Sequence, residues 1–306
     1  MEGRQGVKKP SVALVWAALT LIWGSTWLAI KVGLEDLPPF TFAGTRFLIA
    51  VVPLLLFVGA KGWRFPKARR DWVLLAVTGL LTFTAGYGLV FWGEQYVSSG
   101  LTAVLYTTYP LFGLLFAHVL LASEPLRLRK VAGVLVSIAG VAIIFGDQLR
   151  LEGGTGMAGS AAILISAVLG ALSAVLLKRF GNHIDAAVVT LVQMAVGGAP
   201  LVVLGLIVEG NPLHAGWTPK AVVCLLYLAL AGTSLAFVLW YQLIQAIPVT
   251  RAQIMPVLNT LVAVLLGWLI LGEHYGLRGA AGAATVLGGS LLALWRPAVR
   301  PARASW

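Results

Sequence analysis

Residues 119–128 read VLLASEPLRL and residues 268–277 read WLILGEHYGL. In each stretch a long apolar run ends in a glutamate, Glu124 and then Glu273, and an arginine follows five residues on, Arg129 and Arg278. Only 11 of the 306 residues are acidic, so two acids at the same punctuation mark call for an explanation. Sliding the chain against itself supplies one. At an offset of 149, Ala103, Leu120, Leu128, Ala132, Gly133 and Gly140 also fall on Ala252, Leu269, Leu277, Ala281, Gly282 and Gly289. At an offset of 147, Lys31 falls on Lys178 and Pro53 on Pro200. Apolar matches arise easily by chance in such a chain; Glu, Arg, Lys and Pro matches in one register do not. The chain reads as one unit used twice, residues 1–150 and 151–306, with about two extra residues near 209–218.

Hydrophobic residues make up 59% of the chain and charged residues 11%, against about 25% charged in a soluble domain. Continuous apolar runs of about 18 or more residues recur, each long enough to cross about 30 Å of hydrocarbon. They lack the period-2 alternation of a membrane β-barrel. The expectation is an all-α integral membrane protein with ten spans, at 11–32, 39–60, 72–93, 98–121, 128–146, 157–178, 184–208, 219–246, 250–271 and 277–295. Five spans per half is an odd number, so the second half enters the membrane in the opposite sense. Such inverted repeats occur in many secondary transporters, where substrate binds near the midplane between the halves.

The net charge of +11 invites a nucleic-acid reading, but the positions of the charges refute it. With a cytoplasmic N-terminus, 17 Lys and Arg lie inside and 4 outside, and Arg46 alone falls within a span. The positive-inside rule therefore predicts both termini in the cytoplasm. Arg4, Lys8 and Lys9 before the first run resemble the start of a signal peptide, but Val12 to Ile30 is too long for its hydrophobic region, so a retained first span is expected. The single cysteine, Cys224, excludes a disulfide framework.

Trp23-Gly24-Ser25-Thr26 in the first span, Lys31 at its end and Arg46 in the second resemble the opening of an EamA-type unit. Ala103, Pro110 and Ser123-Glu124, then Ala252 and Leu271-Gly272-Glu273, resemble that family's repeated ending. The resemblance covers essentially the whole chain and places it with the drug/metabolite transporter superfamily. It implies a ten-helix carrier of the bacterial inner membrane that exports amino acids or other small metabolites. The halves depart from each other: Gly170-Ala171-Leu172-Ser173 stands in place of the Trp-Gly motif, Gln193 opposite Arg46, and Asn259 opposite Pro110. An asymmetric substrate site is the corresponding expectation.

Glu124 and Glu273 each precede the next helix by about three residues, where a carboxylate accepts hydrogen bonds from free N–H groups and meets the positive end of the helix dipole. Arg129 and Arg278, one turn in, are their expected partners. The alternative is gating or proton relay. Arg46 either attracts a substrate carboxylate or lines an outer gate, or it snorkels to the interface. Trp23, Trp27, Tyr87, Tyr106 and Tyr109 lie away from the interfacial belts; they line a cavity or pack between helices. Gln193 and Asn259 are the costliest of the polar midspan groups to bury and are assigned to the cavity. Thr82, Thr84, Ser166, Thr233 and Ser234 bond between helices or join them. The cavity is expected from spans one, three, four, six, eight and nine. Pro53, Pro110, Pro200 and Pro256 lie within spans and favour kinks, Pro110 and Pro256 serving as hinges.

Gly154-Thr155-Gly156-Met157-Ala158-Gly159 spells a dinucleotide fingerprint, but no strand precedes it; it reads as a flexible connector. There is no phosphate loop and no H-E-x-x-H motif, so no cofactor or metal is expected and the chain is not read as an enzyme. The rival class is an integral-membrane enzyme acting on a lipid-linked substrate. It would need clustered acids or histidines at one interface. Expected partners are a small-molecule substrate and membrane lipid, with no nucleic acid and a monomer as the functional unit.

Overall fold

The computed structural model describes residues 12–121, 128–151, 153–246, 255–274 and 276–294. These residues are helical with short connections, and no strand occurs among them. Seven helices are long and apolar enough to cross a membrane. They are α1 (Val12–Gly33), α2 (Pro39–Ala60), α3 (Arg69–Glu94), α4 (Ser99–Leu120), α6 (Gly154–Phe180), α7 (Ala186–Val208) and α8 (Pro219–Trp240). Three more helices occur among the described residues: α5 (Leu128–Leu151), α9 (Met255–Leu271) and α10 (Leu277–Leu294), the last two with shorter apolar stretches. The chain is thus a multi-pass helical membrane protein. Its many exposed leucines, valines and isoleucines, such as Leu56, Val119 and Ile207, are the lipid-facing surface such a protein needs.

Two helices change pitch. Leu80–Tyr87 in α3 and Tyr227–Leu235 in α8 are π-helical. They begin 147 residues apart, the same offset as the Lys31/Lys178 and Pro53/Pro200 matches. A π turn adds a residue per turn and leaves a carbonyl to be satisfied locally. Thr233 and Ser234 do this in α8, their hydroxyls donating to Leu228 O at 2.8 Å and Ala229 O at 3.0 Å. α4 is broken at Thr107–Thr108, and a new helical stretch starts at Tyr109 with Pro110 in its first turn. The missing N–H of Pro110 costs nothing there.

The most extensively packed pair is α5 with α10, followed by α3 with α6 and α2 with α7. In the first, a Cβ on Gly133 would lie 2.6 Å from Gly289 O, and one on Gly140 would lie 2.8 Å from Gly282 O. Only glycine permits backbones this close, and small residues supply that fit where lipid removes any hydrophobic gain. α1 meets α9 and α4 meets α6. Residues 154–159 are helical from the start of α6, so the flexible connector expected there is corrected. A glycine-rich run at a helix start is still held when the helix beyond it is buried.

Candidate functional site

The helices enclose a cavity of about 360 Å³. All eight residues assigned to the substrate site by sequence line it: Trp23 and Trp27 from α1, Arg46 from α2, Tyr87 from α3, Tyr106 and Tyr109 from α4, Gln193 from α7 and Asn259 from α9. α6 and α8 add Gly170, Ser173, Gly232 and Phe237. The expected helices therefore contribute, and α2 and α7 join them; among the described residues α5 and α10 do not.

The walls are aromatic. Trp27 packs against Tyr106 with ring centroids 5.3 Å apart, and Tyr106 stacks on Tyr109 at 5.8 Å. Trp23 meets Phe237 at 6.1 Å and Trp240 at 5.5 Å. The neighbouring Gly24 explains the motif: a Cβ there would collide with Val262 and sit 3.0 Å from Asn259 O. Gly24 thus presses α1 onto α9 beside Asn259, while Ser25 reaches the Tyr227 hydroxyl at 2.6 Å.

Arg46 is 4% exposed, so it does not snorkel to the interface. Its guanidinium lies 5.2 Å from the Phe47 ring, 5.6 Å from Tyr87 and 5.9 Å from Phe91. Aromatic faces stabilise a cation without neutralising it. Its Nε donates to Thr233 Oγ1 at 3.2 Å, placing the π stretch of α8 behind the arginine. Its Nη1 is buried with no hydrogen-bond partner, as is Asn259 Oδ1. One orphan donor and one orphan acceptor thus belong to residues lining the same aromatic chamber.

Gln193 is held differently. Its Nε2 donates to Thr78 Oγ1 at 2.8 Å, and Thr82 donates to Ser173 Oγ at 2.8 Å, which bonds Thr78 O at 3.1 Å. This chain ties α7, α3 and α6 together. Thr78 escaped the sequence reading, and Ser173 entered it only as part of the segment in place of the Trp-Gly motif, because single hydroxyls in apolar runs carry no distinguishing pattern.

At one end of the bundle, the sealed end, side chains tie helix termini together. Lys31 Nζ donates to the carbonyls of Glu94 at 2.6 Å, Val97 at 2.8 Å and Gln95 at 3.3 Å, capping the end of α3. Glu273 accepts from Ser99 N at 2.7 Å, Ser99 Oγ at 2.8 Å and Gly100 N at 3.2 Å, capping α4. The capping role expected of Glu273 is present, but the recipient is α4 and not the following helix. Arg278 is exposed, and no ion pair joins it to Glu273 among the described residues. Glu209 accepts from Phe40 N at 2.7 Å and Thr41 N at 2.8 Å, capping α2 in the same manner. Asp36 joins Thr218 at 2.7 Å and Lys220 at 3.2 Å, and the Thr218 hydroxyl, then Lys220, hold it below the usual carboxylate range. Toward the opposite end the lining runs to Ala174, Leu177 and Thr190, of which Ala174 is exposed.

Glu124 lies outside the described residues. Arg129 donates from Nε to Leu292 O at 3.2 Å, fastening α5 to the end of α10. Pro256 is the second residue of α9.

A chamber with aromatic walls inside a multi-pass helical bundle is an architecture suited to a membrane transporter, and the comparisons agree on that class. The EamA-like transporter family model matches residues 11–146 and again residues 157–295. The chain belongs to the EamA-like transporter family. It is 32% identical over 261 residues to the uncharacterized transporter YoaV of Bacillus subtilis (strain 168), covering 84% of this chain and 87% of that one. It is equally identical over 262 residues to the uncharacterized inner membrane transporter YedA of Escherichia coli (strain K12), covering 84% and 81%. A solved crystal structure superposes with a TM-score of 0.63 at 21% identity, over 92% of this chain and 96% of that chain. At that identity the likeness speaks to the fold alone.

Proposed function

We propose that this transporter exports small amphipathic metabolites, amino acids and aromatic ones among them, across the bacterial inner membrane by alternating access. In this reading the chain crosses the membrane ten times as a monomer, in two inverted five-helix repeats, residues 1–150 and 151–306, with both termini cytoplasmic. Three features support the repeat: the 147-residue spacing of the π segments, the 149-residue spacing of Glu124 and Glu273, and the reciprocal glycines of α5 and α10. Gly133 meets Gly289 while its counterpart Gly282 meets Gly140, as a two-fold relation requires.

The observation that carries the substrate reading is a pair of unpartnered buried atoms on residues that line an aromatic chamber. Arg46 Nη1 lacks an acceptor and Asn259 Oδ1 lacks a donor. A zwitterion with an apolar body offers both: carboxylate to the guanidinium, ammonium to the amide oxygen, ring to the aromatic walls. Leaving such groups unpaired costs about 1–3 kcal/mol each, so a ligand that satisfies them binds selectively. On the proposed topology the sealed end faces outward and the Ala174 end inward, the state that loads cytoplasmic substrate. Driving energy comes from the substrate gradient or from protons.

Counterflow in proteoliposomes with labelled phenylalanine, tyrosine, tryptophan and alanine tests this. Saturable exchange of the aromatic amino acids is expected. Absence of exchange for all four would overturn the substrate class, and a hydrolase or transferase activity on lipid-linked substrates in its place would overturn the carrier.

A further inference from the structure

Glu94 is the last residue of α3, at the sealed end, and is 0% exposed. Neither carboxyl oxygen has a hydrogen-bond partner. Lys31 is beside it, but its three donors are spent on the carbonyls of Glu94, Gln95 and Val97. The charged groups that act on Glu94 from neighbouring elements are Lys31 on α1, Glu273 at the end of α9 and Arg46 on α2. Glu273 already accepts from Ser99 and Gly100 and repels a second negative charge. Arg46 is engaged by Thr233 and three aromatic faces. A buried carboxylate without a hydrogen-bond donor is far costlier than the neutral acid. Burial without a hydrogen-bond donor therefore favours –COOH over –COO⁻ at this position, despite the nearby Lys31.

The same geometry contains the means to reverse this. Parting α1 from the α3–α4 junction withdraws Lys31 from the three carbonyls and admits water. Its ammonium then has free donors beside an uncovered carboxyl. We propose that Glu94 is a proton-binding latch: it holds a proton while this end is sealed and gives it to water when the end opens, where Lys31 pairs with the resulting carboxylate. The O–H bond broken on opening is remade on closing, and the proton returns from the same side. Opening is thereby linked to pH, favoured as pH rises and opposed as it falls.

Two measurements without substrate test this on the full chain in liposomes. In the first, Cys224→Ser carries spin labels at Tyr96→Cys and Leu213→Cys, both exposed at the sealed end, and their separation is followed against pH. A longer-distance population should grow as pH rises; Glu94→Gln, a permanently neutral mimic, should abolish that growth, and His274→Gln should leave it. A pH-independent distribution, or an unchanged response in Glu94→Gln, would overturn the latch. So would loss of the response in His274→Gln, which would move the titration to the exposed imidazole.

In the second, infrared spectroscopy at neutral pH should show a protonated-carboxyl stretch that Glu94→Gln removes. Glu94→Asp should shift that stretch, which keeps the test decisive if the glutamine variant misfolds. Absence of the band in the parent protein would also overturn the proposal. The latch rests on the sealed end being able to open, not on any substrate. Failure of amino-acid counterflow with a Glu94-dependent pH response would sink the substrate reading alone.

Discussion

At Arg46 the guanidinium is surrounded by Phe47, Tyr87, Phe91 and one hydroxyl, with Nη1 left over. An isolated cation in the membrane is costly enough that it is normally kept for a task. The sequence disclosed this residue because it is the one Lys or Arg inside a span; it did not disclose Thr233 as its support. Losing a charge-assisted hydrogen bond costs about 1.5–3 kcal/mol, so Arg46→Gln should weaken apparent affinity for a carboxylate-bearing substrate roughly tenfold to a hundredfold. Arg46→Lys should not restore it, because an ammonium lacks the guanidinium fork. The concentration dependence of uptake at matched folded protein checks both; wild-type values in Arg46→Gln would remove the residue from the site. Thr233→Val, which leaves the arginine in place but unanchored, should show a smaller loss in the same assay. Glu94, by contrast, was legible only as an acid at a span end. Its burial depends on how neighbouring helices, α6 above all, pack around the end of α3, which no single-helix pattern records.

The elements divide into those that shape the cavity and those that brace it. Among the described residues α5 and α10 line no part of the chamber, and they meet through glycines at 133, 140, 282 and 289. Gly140→Leu should therefore destabilise the fold by about 1–3 kcal/mol through overpacking, read as a lower melting temperature in detergent, with uptake per folded molecule retained. A normal melting temperature would mean that the helices part without cost. The repeat made these glycines legible, since they recur at one offset with Glu273 and Arg278. It could not reveal the π stretches, whose sequences LLTFTAGY and YLALAGTSL share no residue pattern that departs from an ordinary helix. Nor did local spacing predict that Glu273 caps α4: the nearest free N–H groups in sequence belong to the next helix, but packing brings α4 closer. Asp36 adds a pH-dependent clasp between the end of α1 and the start of α8. Its lowered folded pKa means a contribution present above the unfolded value of about 3.9 and lost as pH falls through the folded one. Asp36→Asn should accordingly flatten the acid limb of the stability profile, and an unaltered limb would assign no role to the clasp.

For the whole molecule, composition and span lengths were enough to establish a multi-pass helical protein, and the duplicated glutamates suggested how its halves relate. All eight sequence-assigned cavity residues reach one chamber because polar and aromatic groups far from the interfacial belts must face protein or water in a bundle that lipid surrounds. What the sequence lacked was which helix termini are tied together. The anchors of Lys31, Glu209 and Glu273 hold the termini of α3, α2 and α4 at one end, while Ala174 is exposed near the other. The central claim, a carrier whose aromatic chamber recognises a zwitterion through Arg46, is tested most directly by counterflow of labelled phenylalanine into proteoliposomes preloaded with unlabelled phenylalanine. The account predicts saturable exchange in the parent protein and its loss at the same concentration in Arg46→Gln of equal folded yield. Exchange that is absent from the parent, or equal in the two, would contradict it.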